Sequence, residues 1–280
     1  MHVKMKKIET LEEKQAIALN VLKHFVEFCD KHEVNYMLAY GTLLGAVRHN
    51  GFIPWDDDVD VMMLRDDYIK LMSLYDNNLD NHFKVKSSYN DNDYYAPLAK
   101  MYDDRTVLKA GYGYEEHGEM GIYIDIFVID NMPSDENELR RFYENCQRLR
   151  YAWKMSILSY KAKSSSSILK IIKYPIMAVC KLVGYRKWIR WYDILSQKYN
   201  DKRTEYAGVV VYGEGAKKER MLRSMFTNTS NVEFEGLQMK APSDVDAYLR
   251  QMYGDYMKLP PENERKVHPS NVYWKDGYGE

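Results

Sequence analysis

Ile17, Val21, Leu22, Phe25 and Phe28 recur at helical spacing, and Thr10 with Glu13 three residues on forms a capping box, so the pattern predicts an amphipathic helix over 10–32. The apolar run 36–40 ends at Gly41 as a strand would, and Thr42 is placed to cap a short helix over 43–48 before Gly51 and Pro54 break the chain. Residues 59–62 alternate with period 2, and a helix capped at Asp66 is expected to follow as far as Tyr75. Short extended segments are expected at 83–86, 98–102 and 106–108, and 121–129 is the strongest strand signal in the chain, ended by Pro133. Leu139, Phe142, Cys146, Leu149, Trp153 and Ile157 then mark a long helix, the serines at 164–167 a linker, and 168–199 a second helical segment. Residues 232–234 and 237–239 flank Glu235-Gly236 as a hairpin, Ser243 can cap a helix ending at Gly254, and Pro260-Pro261 opens an extended tail. The elements together predict an α+β chain, a mixed sheet flanked by helices, carrying a mainly helical insertion.

Charge divides the chain more sharply than its net value of −1 suggests. Between Arg140 and Arg203 sixteen Lys or Arg residues face only Glu144, Asp193 and Asp201, while the densest acidic stretch is Asp56-Asp57-Asp58-Val59-Asp60. Residues 168–191 carry six cations and no acid among Ile, Leu and Trp. That stretch is too interrupted to span a bilayer and reads as an interfacial segment in peripheral contact with an anionic membrane, or else as a solvated helical subdomain. No RNA-binding motif accompanies the basic patch, so nucleic acid is not an expected partner. With 280 residues, 45% of them hydrophobic, a core is feasible without staples. Cys29, Cys146 and Cys180 are odd in number and widely separated, which excludes a disulfide scaffold and a structural zinc site. The first thirty residues hold no apolar run of signal-peptide length, and the expected location is the cytoplasm, at most peripheral at the inner face of the membrane.

The candidate chemistry lies in the acidic stretch. Strand alternation puts Asp58 and Asp60 on one face while Val59 and Val61 point into the core. Two neighbouring carboxylates repel each other unless they ligate a hard cation, Mg²⁺ or Mn²⁺, which takes oxygen ligands together with substrate phosphates. An EF-hand does not fit, because Val61 stands where the turn glycine belongs. Asp125 falls in the middle of the strongest strand, where an unpaired carboxylate is costly, so it needs either an ion pair such as Lys100 or a share in the same metal. Gly41-Thr42, between a strand and a short helix, suits an anionic phosphate. Arg48, with its bidentate fork, and Lys100, as a point charge, are candidate phosphate contacts.

Residues 40–49, Tyr-Gly-Thr-Leu-Leu-Gly-Ala-Val-Arg-His, and 53–60, Ile-Pro-Trp-Asp-Asp-Asp-Val-Asp, resemble the signature of the LicD family. Ile124-Asp125-Ile126-Phe127, with Asp130 after it, resembles the family's third acidic motif, and the segment from Phe234-Glu235-Gly236 through Tyr253-Gly254-Asp255-Tyr256 to Pro260-Pro261, Arg265 and His268 its C-terminal part. The resemblance implies a nucleotidyltransferase fold of the polymerase-β-like kind and transfer of a phospho-substituent from a CDP-linked donor to a sugar hydroxyl. That transfer would be phosphocholine from CDP-choline onto a lipid-linked glycan or teichoic acid precursor, or ribitol phosphate as in the fukutin-related members. It further implies that Asp58 and Asp60 are the catalytic metal-binding pair, Asp125 the third carboxylate, and Gly41 and Thr42 the phosphate-loop residues; Arg265 and His268, in the tail, either close the donor site or are simply solvated. Choline would want an aromatic cage, for which Tyr40, Trp55, Tyr112, Tyr114 and Tyr123 are candidates. The rival readings are a nucleotidyltransferase adding NMP from an NTP, and a non-catalytic glycan-binding protein. The expected organisation is a catalytic core over 1–133, a basic helical subdomain over 134–205 and a C-terminal segment over 206–280 that completes the pocket.

Overall fold

The computed structural model describes residues 5–79, 81–109, 120–160, 167–202, 204–265 and 271–279. The chain opens with β1 (Lys6–Ile8), α1 (Leu11–Lys31), β2 (Met37–Leu38), α2 (Tyr40–His49), β3 (Asp60–Leu64) and α3 (Arg65–Leu74). There follow β4 (Phe83–Lys86), β5 (Ala99–Asp103), β6 (Thr106–Lys109) and the ten-residue β7 (Tyr123–Met132). Three helices come next, α4 (Glu136–Ile157), α5 (Ser167–Val183) and α6 (Tyr185–Ser196). The chain closes with β8 (Tyr206–Val209), α7 (Ala216–Glu219), β9 (Met221–Leu222), α8 (Ser224–Thr227), β10 (Thr229–Phe234), β11 (Leu237–Pro242), α9 (Val245–Tyr253) and β12 (Asn271–Trp274).

The central sheet is mixed, in the order β2-β3-β7-β5-β4, with β8 beside the second half of β7 and β9 beyond it. β3 and β7 run parallel, whereas β5 and β8 pair antiparallel with β7. The apolar face of α1, from Ile17 to Cys29, closes one side of this sheet, and the core takes in Val59 and Val61 at 1% and 0% exposure, as the strand alternation requires. Thr10 caps α1 as the capping box predicts, its hydroxyl accepting from the Glu13 N–H at 3.1 Å. A second core of Leu139, Phe142, Cys146, Tyr192 and Tyr199 fixes α4 and α6 against the end of β7. A small sheet, β1-β12-β6, brings the two ends of the chain together.

Three local expectations are corrected. The helix after β2 starts at Tyr40 rather than Leu43, so Gly41 and Thr42 lie in its first turn and Thr42 does not cap it. The helix expected to be capped at Asp66 begins at Arg65, with Leu64 as a cap that makes no side-chain bond. The helical segment expected over 168–199 forms as two helices divided at Gly184, whose φ of +87° is a conformation an L side chain rarely adopts. The cap of α9 is Asp244, not Ser243, because the Asp244 carboxylate is the group that accepts from the Ala247 N–H, at 2.9 Å. The hairpin at Glu235-Gly236 forms as expected, both residues having positive φ, 51° and 74°.

Candidate active site

Strand register assembles the site. Asp60 on β3 stands opposite Asp125 on β7, and Asp125 stands opposite Lys100 on β5, so two acids and a cation share one row across three adjacent strands. Lys100 Nζ meets Asp125 Oδ1 at 2.5 Å and lies 3.3 Å from the centre of the Tyr123 ring. Burial alone would lower the Lys100 ammonium pKa, but the adjacent Asp125 carboxylate outweighs it and holds the group charged. Asp60 has the opposite problem: burial first, then the charges of Asp125, Asp58 and Asp56, raise its pKa well above the usual carboxylate range, and only Lys100 works against them.

The turn before β3 is tied down by backbone chemistry. The Asp60 N–H donates to Thr42 Oγ1 at 2.8 Å, which spends that hydroxyl on fixing β3 to α2. Asp56 approaches the first turn of α2 so closely that a Cβ on Gly41 would stand 3.2 Å from its Oδ2. A carboxylate there sits favourably in the positive end of the helix dipole. Gly45 is needed on the same helix, because a Cβ would meet the Gly51 carbonyl oxygen at 2.4 Å where the chain doubles back. Asp58 precedes the strand, exposed, and lines a cavity of about 200 Å³ with Tyr123 and Lys14. Asp57, three residues before β3, pairs with Lys14 at 3.7 Å.

A larger cavity of about 670 Å³ lies beside α2 and collects Arg48, Trp55, Tyr253 and Tyr256. Arg48 donates to the Tyr256 carbonyl at 3.1 Å, and the Arg265 guanidinium lies 4.5 Å over the Trp55 ring. Trp55 in its wall directly precedes Asp56, so this cavity adjoins the acidic turn; burial, then the charges of Asp60, Glu214, Glu219 and Asp56, raise the Tyr253 hydroxyl pKa. The structure thus gathers Asp58, Asp60, Asp125 and Lys100 in one cluster and Arg48 and Arg265 in the adjoining cavity, with Gly41 and Thr42 between them. His268, Tyr112 and Tyr114 lie outside the described residues.

Two participants went unread in the sequence. Asp56 was part of the acidic run without a role of its own. Glu219, buried at 3% exposure, accepts from the Tyr40 hydroxyl at 2.9 Å and from the Glu214 N–H at 2.7 Å, and so supports the strained first residue of α2, whose φ is 43°. Their separation of 179 residues leaves no local signal. Burial pushes the Glu219 carboxyl up to about 7 from an ordinary value of 4.5. Between these values the folded state holds a proton that the unfolded state has released, so stability falls as pH rises through this window. Glu219→Gln keeps the shape without the charge. Relative to that variant, the wild-type melting temperature is expected to fall by several degrees between about pH 5 and about pH 8. Parallel melting curves for the two proteins across that range would refute the assignment.

The donor set suits a hard divalent cation. Asp60 and Asp125 face each other part-buried on adjacent strands, with the exposed Asp58 just before β3, and no donor reaches the Asp60 side chain among the described residues. Among those residues no three His, Cys, Asp or Glu side chains already form a metal-binding group. The fit is therefore one of ligand chemistry and charge.

Residues 33–146 match the family described as LicD/FKTN/FKRP, nucleotidyltransferase domain, a span that includes α2, β3 and β7. The chain is 31% identical over 270 residues to the lipopolysaccharide cholinephosphotransferase LicD of Haemophilus influenzae, an alignment covering 94% of this chain and 97% of the relative. An uncharacterized protein of Rickettsia typhi is 40% identical over 65 residues, 23% of this chain and 21% of that protein. Similarity along nearly the whole length of both chains, added to the acidic and glycine motifs at the site, establishes that this protein belongs to the LicD family.

Proposed function

We propose that the protein is a metal-dependent phosphotransferase that moves phosphocholine from CDP-choline to a sugar hydroxyl of a cell-surface glycan. The observation that carries this reading is the row of Asp60, Asp125 and Lys100 across three strands, beside a cavity walled by Trp55, Tyr253 and Tyr256. The named activity of the Haemophilus relative supports the choice of transferred group. Asp58 and Asp60 would hold Mg²⁺ or Mn²⁺, with Asp125 as a further ligand or as the base. When bound, the cation would neutralise the donor diphosphate. Arg48 and Arg265 hold the donor from the cavity side, and the aromatic walls suit a quaternary ammonium. Lys100, paired with Asp125 at 2.5 Å, holds that carboxylate in the row, where it can accept the proton of the attacking hydroxyl. The acceptor is carried on lipid, and the protein works at the inner face of the membrane.

The test is which product leaves. CDP-choline, a glycan acceptor and Mg²⁺ should yield CMP. Pyrophosphate released from CTP would make the protein a nucleotidyltransferase instead. Absence of either product, together with Mg²⁺-independent glycan binding, would make it a binding protein.

A further inference from the structure

Helices α5 and α6 expose apolar residues on the face turned away from the core. Ile176, Val179 and Leu182 follow one another at three-residue spacing on α5, Val179 and Leu182 being 61% and 89% exposed. On α6, Trp191 and Ile194 are 45% and 58% exposed. Trp188 joins the two stripes, meeting Trp191 edge-on at 5.1 Å between ring centres and donating its indole N–H to the Cys180 carbonyl at 3.0 Å. The opposite faces are already satisfied, Met177 and Cys180 packing on α4 and Tyr192 in the second core. One exposed leucine is ordinary, but five large apolar side chains on two joined helices are not. Among the described residues no helix is long and apolar enough to cross a membrane.

Charge identifies the occupant. Lys187 and Arg190 are exposed on α6 beside Trp191, and the single acid of that helix, Asp193, is engaged by Arg65 at 2.7 Å and by the Tyr89 hydroxyl at 2.7 Å. Cations interleaved with Leu, Ile and Trp favour a surface that is apolar beneath and anionic at its rim. The same two cations line a cavity of about 400 Å³ with Tyr89 and Tyr94. Tyr94 is 3% exposed and its hydroxyl has no hydrogen-bond partner among the described residues. Tyr94 packs in a cluster with Tyr123, whose ring centre lies 3.3 Å from Lys100 Nζ, so the inner wall of the cavity stands beside the candidate catalytic row.

We propose that Val179, Leu182, Trp191 and Ile194 dock on an anionic bilayer with Lys187 and Arg190 at its phosphates, so that the neighbouring cavity opens from the lipid surface toward Asp125. This inference rests on the lipid-carried acceptor of the proposed function, and the two fail separately. The experiment is flotation of the full chain with phosphatidylglycerol-containing vesicles and with vesicles of phosphatidylcholine alone. Transfer from CDP-choline to a water-soluble glycan is measured in parallel. Wild type is expected to float with the anionic vesicles at low salt and to be released as salt screens the charges. Lys187→Ala with Arg190→Ala should weaken binding roughly thirtyfold. Val179→Ser with Leu182→Ser should weaken it by roughly a hundredfold, with soluble-acceptor transfer and melting temperature unchanged. Absence of wild-type flotation, equal binding to both vesicle types, or full binding by the serine pair would overturn the inference whatever the transfer assay reads. Flotation that behaves as expected without any transfer would leave the surface standing and refute the proposed function.

Discussion

Asp60→Asn is expected to lower phosphocholine transfer by at least about 10²–10³-fold while leaving the melting temperature unchanged or higher. The two halves of this expectation come from one fact. Asp60 stands part-buried among Asp125, Asp58 and Asp56 with only Lys100 to oppose their charge, so its ionised form is costly to the fold. An arrangement that works against stability is retained where the charge has a task, and neutral Asn relieves the repulsion while removing the task. The size of the activity loss is that of deleting one preorganised electrostatic contact to a reacting group. Steady-state transfer from CDP-choline, read beside a thermal melt, decides the matter. A folded Asp60→Asn protein with a normal rate would remove Asp60 from the site, and a large fall in melting temperature would mean that the carboxylate serves the fold.

The acidic centre was legible because alternation and burial together constrain it. A lone acid inside an apolar run must be answered by a charge, and Asp125 is, by Lys100; Asp60 faces Asp125 across the β3–β7 register, whereas Asp58 falls before β3 and is exposed, so the shared strand face expected for the pair does not extend to it. Lys100 is a candidate both as a phosphate contact and as the ion-pair partner of Asp125, and the β5–β7 register places it at the carboxylate. What could not be read depends on contacts distant in sequence. The start of α2 at Tyr40 has no side-chain cap and a positive φ, and it is held by Glu219 from the far end of the chain. Thr42 has the residue type of a cap, yet its hydroxyl is claimed by Asp60 N–H, a demand that exists only once β3 lies against α2. β8 is four residues long, with no pattern strong enough to announce that it extends the central sheet.

Arg65→Ala is expected to destabilise the protein by about 3–5 kcal/mol, roughly 10 °C in melting temperature, without lowering transfer at temperatures where the variant is folded. Asp130 follows Asp125 by five residues, so strand alternation turns it to the opposite face, and there it is 1% exposed. Arg65, at the start of α3, grips it with two bonds, Nε at 2.8 Å and Nη2 at 2.6 Å, and reaches Asp193 and Ser196 on α6 at 2.7 and 3.1 Å. One guanidinium thereby ties the central sheet to the basic helices. Removing it leaves Asp130 a buried charge whose remaining side-chain donor is Asn200 Nδ2 at 2.7 Å. An uncompensated buried charge accounts for the size of the loss, and Asp130→Asn placed in the Arg65→Ala background should recover part of it because the charge itself is then gone. Retention of nearly full stability by Arg65→Ala would show the bridge to be energetically idle. Loss of transfer by a folded Arg65→Ala protein would show that the third acidic motif serves the reaction through Asp130 as well as through Asp125.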